Sequence, residues 1–162
     1  MISKKMEKAL NDQIAAELYS SYLYLSMSAN FAAQNWRGMA HWMRAQASEE
    51  NEHAMKIFDF VIERAGTVAL QTIKQPPTEW ATPLAAFKET YAHEQKVTGM
   101  INDLVALARA EKDNASEVFL HWFVHEQVDE EARPLEIVLT MKTIGDSKGG
   151  MFMLDHKLGE RK

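Results

Sequence analysis

A chain of 162 residues with no cysteine, 4 Pro and 7 Gly fits one domain that buries roughly two-thirds of its unfolded surface without disulfide staples. The missing thiols exclude disulfides, thiolate zinc sites and iron–sulfur clusters, leaving carboxylate, imidazole and carbonyl oxygen as metal ligands. With 18 Lys and Arg against 23 Asp and Glu, the formal charge of −5 argues against non-specific nucleic-acid binding, and no apolar run approaches the ~20 residues that span a bilayer.

Few helix breakers and abundant Ala, Leu, Met, Glu, Lys and Gln predict an all-α chain. The opening Lys4, Lys5, Glu7 and Lys8 lack the apolar core of a secretory signal, so a soluble cytoplasmic protein is expected. Ser3 caps a first helix over about 4–34, in which Met6, Leu10, Ile14, Leu18, Tyr22 and Leu25 recur at helical spacing. After a break at Asn35-Trp36-Arg37-Gly38, a second helix over about 38–65 carries Met39, Met43, Ala47, Ala54, Ile57, Phe58 and Val61, with Gly66 as its C-cap.

From Gly66 to Thr82 the chain has 17 residues including Pro76-Pro77, a composition that resists helix. Thr82 and Pro83 then start a third helix over about 83–112, faced by Phe87, Tyr91, Val97, Ile101 and Leu104. A fourth, about 115–144, runs through Leu120, Phe123, Val124, Ile137 and Met141, with a kink expected at Pro134 and a stop at Gly145. Trp122 and Phe123 read as core. A short fifth helix over about 149–159 carries Phe152, which has little intrachain core to fill and is expected to pack on other subunits. A helix of ~28 residues is about 42 Å long and 17 extended residues reach about 56 Å, so the connection can return along the bundle and set helices two and three parallel. The expected fold is a four-helix bundle of two antiparallel hairpins with one long crossover.

Polar residues interrupt every inward face. Glu17 lies among Ile14, Ser21 and Tyr24; Glu50 and His53 form a Glu-x-x-His; Glu94 interrupts the third stripe, and Gln127 and Glu130 the fourth. The triple Glu17, Glu50, His53 shifted by 77 residues lands on Glu94, Gln127, Glu130, so both halves share the intervals 33 and 3. The midpoint of 17 and 53 is 35 and that of 94 and 130 is 112, both at expected turns, so the six groups meet at one level. Burying several carboxylates costs several kcal/mol per ion unless cations compensate, and two metals bridged by Glu50 would do so. Carboxylates with a single imidazole suit iron. Tyr24 reads equally as a core aromatic or as a redox or hydrogen-bonding group. Glu49, Glu126 and Asp129 lie beside the ligands and line either a further iron position or a solvated face. His41, His93, His121, His125 and His156 are expected at the surface, His121 and His125 alone standing at ligand spacing.

The segments Ser48-Glu49-Glu50-Asn51-Glu52-His53-Ala54 and Trp122-Phe123-Val124-His125-Glu126-Gln127, with the five-helix layout, resemble the ferritins, in particular the haem-free prokaryotic type. The resemblance covers nearly the whole chain. It implies a homo-oligomeric cage of twenty-four subunits, each with a ferroxidase centre that oxidises Fe(II) with O2 or H2O2 for storage as ferric oxyhydroxide. By position, Glu17, Glu50 and His53 would hold one iron, and Glu50, Glu94 and Glu130 the second, with Gln127 hydrogen-bonding oxygen species. Glu49, Glu126, Asp129 and Glu130 match a third iron position of prokaryotic members, many of which have Glu where this chain has Asp129. The short last helix resembles the one lining the four-fold axis of the cage. Bacterioferritin has a second Glu-x-x-His where this chain has Gln127-x-x-Glu130, and Asn51 follows the bridging Glu50, so no haem is expected. Two other readings stand beside this one: a non-catalytic helical assembly protein with its inward acids satisfied by water, and a di-iron carboxylate oxidase acting on an organic substrate.

Overall fold

The computed structural model describes residues 1–162 and contains five helices: α1 Lys4–Ala33, α2 Arg37–Glu63, α3 Pro83–Ala110, α4 Asn114–Ile144 and α5 Lys148–Leu158. The helix starts are chemically specified. Backbone N–H groups of Met6, Ala85, Ser116 and Gly150 donate to Ser3, Thr82, Asp113 and Ser147, each cap being worth about 1 kcal/mol. The start of α2 has no side-chain cap of its own, because Trp36 occupies that position. Asp155 of α5 supplies one from afar, its Oδ1 accepting from the Met39 N–H at 2.8 Å.

Both hairpin turns fall where the ligand intervals place them: Asn35 (φ 63°) and Lys112 (φ 56°) take the left-handed conformation that reverses the chain. The end of α2 differs from expectation. Gly66 is not the cap; the helix stops at Glu63 and Ala65 takes the left-handed φ of 54°. Gly66 instead donates its N–H to the Val61 carbonyl at 2.9 Å, closing the last turn. α4 continues through the buried Pro134, whose missing N–H leaves the Glu130 carbonyl without its usual helical donor.

Helix directions follow from which ends share a core. One apolar cluster joins Leu23–Phe31 of α1, Met39–Ala47 of α2, Phe87 of α3, Ile137–Met141 of α4 and Leu154 and Leu158 of α5. The other joins Met6–Ile14, Ile57 and Val61, Val97–Ala108, and Leu120 and Phe123. The late part of α1 therefore lies with the early parts of α2 and α3 and the late part of α4, which makes α2 and α3 parallel and each hairpin antiparallel. The crossover is pinned along α1: Thr67 N–H donates to Glu7, Asn11 bonds the Thr67 carbonyl and the Ala69 N–H, and Gln71 donates to Asp12. No helix is long and apolar enough to cross a membrane.

Three expected core assignments are corrected, the first being Val124 of α4, which is exposed. Tyr22 and Leu25 face outward, Tyr22 being 50% exposed, while Leu23, Tyr24, Met27 and Phe31 point in. The true inward positions Gln13, Glu17 and Ser20 are polar, so a stripe drawn through apolar residues alone slides one position onto Leu18 and Tyr22. Trp122 is 39% exposed; it covers His53 from outside, with ring centroids 5.4 Å apart, and carries Lys56 Nζ 4.3 Å above its face. On α5, Leu154 and Leu158 enter the core while Phe152 and Met153 are each 72% exposed.

Candidate metal centre

Between the two apolar clusters the bundle interior turns polar. Glu17, Glu50, Glu94 and Glu130 are each 1% exposed, one from every long helix, and His53 and Gln127 are buried with them. Two triplets emerge, Glu17/Glu50/His53 and Glu50/Glu94/Glu130, and within each triplet one ligand atom per residue lies within 4.8 Å of the others. Glu50 belongs to both. A third triplet, His53/Glu126/Glu130, sits beside them with Glu126 partly exposed.

Neutral donors orient the carboxylates. Gln13 Nε2 donates to Glu17 at 2.7 Å and Gln46 Nε2 to Glu50 at 2.8 Å, while Gln46 also donates to Glu130. The Tyr24 hydroxyl donates to Glu94 Oε1. Gln127 Nε2 lies 3.2 Å from the Glu94 backbone carbonyl, 3.4 Å from Glu94 Oε2 and 3.2 Å from Thr98 Oγ1, so it braces Glu94. These donors leave three atoms with nothing. Glu17 Oε2, His53 Nδ1 and Glu130 Oε1 are buried without a hydrogen bond, and each such orphan costs about 1–3 kcal/mol, more when charged. His53 Nδ1 stands 3.3 Å from Glu50 Oε2, close enough for attraction but not aligned for a hydrogen bond. Three orphaned ligand atoms of the same two triplets fit a cation-binding site, and hard oxygen with one imidazole fits iron.

The electrostatics agree. Burial, then the neighbouring Glu50 charge, push Glu17 up to about 8 and Glu130 up to about 7. Glu94 rises for the same two reasons, and Tyr24 stays protonated because burial and Glu94 both oppose its ionisation. For His53 burial works against the charged ring, but contact with Glu50 outweighs it and raises the ring to about 9.

Glu17, Glu50, His53, Glu94, Gln127, Glu130 and Tyr24 thus come together. Of the residues matched to a third iron position, Glu126 and Glu130 approach each other, Asp129 is exposed and outside every triplet, and Glu49 is held by Arg133 and Arg161 at 2.9 and 2.7 Å. His93, expected at the surface, is half-buried with Nε2 2.7 Å from Ser20 Oγ, and burial holds it below its ordinary pKa. The other four expected surface histidines are exposed. Sequence reading missed Gln13, Gln46, Arg133 and Arg161. A signal existed for the glutamines: each stands four residues before Glu17 or Glu50, on the same helical face, and 46 − 13 = 33 repeats the ligand interval.

A family model described as a ferritin-like domain matches residues 7–143. Proteins named bacterial non-heme ferritin are similar along the whole chain: that of Bacteroides fragilis is 45% identical over 161 residues, covering 99% of this chain and 100% of the relative. That of Campylobacter jejuni is 40% identical over 155 residues, covering 96% and 93%. Among solved structures, an open-pore ferritin from the hyperthermophilic archaeon Archaeoglobus fulgidus matches with a TM-score of 0.99 at 51% identity, covering all of both chains. The chain belongs to the ferritin family and groups with its non-haem members.

Proposed function

We propose that this protein stores iron, and that each subunit oxidises Fe(II) to Fe(III) at the paired triplets before the ion joins a ferric oxyhydroxide mineral inside a homo-oligomeric cage of twenty-four copies. The observation that carries this is the pair of buried triplets sharing Glu50, each able to bring three ligand atoms to one point. Fe(II) is the substrate. Glu17, Glu50 and His53 bind one ion, and Glu50, Glu94 and Glu130 the other; each gives up one electron, and O2 or H2O2 takes the pair with protons. Anionic oxygen favours the higher charge of Fe(III), which drives the oxidation, and His53 as the sole nitrogen donor distinguishes the first position from the second. Gln127 and Tyr24 hold Glu94 in place through the change in charge. We place the protein in the cytoplasm.

The alternatives are less well supported. An assembly protein without metal chemistry has no use for three orphaned buried ligand atoms. An oxidase acting on an organic molecule needs an open pocket at the metals, and the four glutamates are closed off from solvent. The test is stopped-flow oxidation of Fe(II) by the assembled protein. Glu17→Ala and His53→Ala are expected to abolish the fast phase while leaving assembly intact, and Glu130→Ala to weaken the second site; unchanged initial rates in all three contradict the assignment.

A further inference from the structure

Arg133 is one turn after Glu130 on α4, and its guanidinium reaches into the acidic group beside the paired triplets. Nη1 lies 2.9 Å from Glu49 Oε2 and 3.6 Å from Glu130 Oε1, and Nη2 lies 3.7 Å from Glu126 Oε1. Glu126 and Glu130 are two members of the third triplet with His53, and Glu130 Oε1 is a buried atom without a hydrogen bond. Burial of Arg133 disfavours its charge, but Glu130, Glu49, Glu126 and Asp129 together outweigh this and raise its pKa further above the ordinary arginine range. The two carboxylates of that third triplet, Glu126 and Glu130, thus both face one arginine. A second guanidinium, Arg161, holds Glu49 at 2.7 Å and lies over Trp42 with its carbon 4.4 Å from the ring centroid, so the Glu49 carboxylate is shared between two arginines.

A fixed positive charge within 4 Å of two carboxylates repels any metal ion that would share them, and it compensates their charge without needing a metal's geometry. We propose that Arg133 is a built-in counter-cation that fills the position of a third metal ion at Glu126 and Glu130, and so limits each subunit to the two ions of the paired triplets. The inference rests on the metal-binding reading of those triplets. It assigns Arg133 a specificity role: the subunit keeps no third ion, and iron leaving the pair meets a cation rather than another ligand set.

Zinc, which is redox-silent, tests this on the assembled protein by titration calorimetry, with the ions placed by anomalous diffraction. The wild type is expected to hold two zinc ions per subunit, at the paired triplets. Arg133→Gln and Arg133→Met remove the charge and keep most of the stem; Arg133 is 38% exposed, so both should fold, and both are expected to hold three, the added ion bound by Glu126 and Glu130. Two ions in the wild type and in both variants, a third ion placed elsewhere, or a third ion already present in the wild type each overturns the proposal. A wild type with no zinc at the paired triplets overturns the metal-centre reading instead.

Discussion

Gln46 donates to Glu50 at 2.8 Å and, through the same amide nitrogen, to Glu130, so one neutral side chain on α2 ties the shared carboxylate to the ligand from α4. Its oxygen accepts from Arg161 Nη2 at 2.9 Å, which fixes the orientation of the amide. Gln13 stands in the same relation to Glu17. The ligand set is therefore pre-oriented by donors that add no charge, a lower cost than burying a counter-ion against every acid.

Gln46→Leu is expected to lower the melting temperature of the metal-free protein, with a loss on the order of 1–3 kcal/mol for leaving buried carboxyl oxygens without a donor. In the metal-loaded protein the loss should shrink, because the ions take over Glu50 and Glu130. Calorimetric melts of both forms check this; an equal loss in both would reduce Gln46 to a packing residue.

The metal-free protein should lose stability as pH rises from about 5 to about 9. Glu17 and Glu130, at about 8 and about 7 in the fold against an ordinary 4.5, bind protons that the unfolded chain has released, so their contribution is complete below 4.5 and disappears through 7 to 8. His53, at about 9 against 6.5, acts in the same direction, with its contribution complete below 6.5 and gone above 9. His93, Asp12 and Asp113 have the opposite sign, His93 because burial lowers it, so that stability is regained as pH rises to 6.5. The Lys8 and Gln71 hydrogen bonds lower Asp12; burial raises Asp113, but hydrogen bonds from Arg64 and Ser116 more than reverse it, so both aspartates lose their contribution only below 3.8. Melts across pH without metal test the slope, and saturating zinc should flatten or reverse it, since metal replaces the protons. A melting temperature that rises from pH 6 to 9 without metal would refute this.

The ligand level was legible because two constraints coincide: the intervals 33 and 3 repeat across the halves, and the implied midpoints are the left-handed residues Asn35 and Lys112. The same polar insertions that mark the site hid the true face of α1, since an apolar scan steps past Glu17 onto Leu18 and Tyr22. Arg133 and Arg161 were not legible. A guanidinium reaches its partner through four flexible torsions, and helical periodicity fixes only where such a side chain begins. Asp155 capping α2 was hidden for a different reason, as it links residues 116 apart through the docking of α5.

Tyr24→Phe removes the hydroxyl that donates to Glu94 and leaves the ring in its buried place. Glu94 keeps only the long contact from Gln127, 3.4 Å to Oε2. The second zinc ion should bind roughly tenfold more weakly, the loss of one charge-assisted hydrogen bond, with the first little changed. Equal affinity for both ions relative to wild type would leave Tyr24 a core aromatic.

Gly38→Ala should release α5 without dismantling the metal centre. A Cβ at Gly38 would stand 1.6 Å from the Asp155 carbonyl oxygen, backbone against backbone, so rotamer changes cannot relieve it. The added helix propensity of Ala is at most about 1 kcal/mol, far less than such an overlap costs. The helix must lift, which breaks the Met39–Asp155 cap and draws Arg161 away from Glu49. Gln46 loses the Arg161 contact to its oxygen, but Glu50 lies 12 residues further along α2, about 18 Å by helical rise, so the backbone that carries the triplets stays in place. Hydrogen exchange should show the Lys148–Leu158 amides and the Met39 amide losing protection while the rest of α1 to α4 keeps its own, with two zinc ions still bound per subunit. Unaltered protection of α5 would mean that the close crossing at Gly38 is not what seats it.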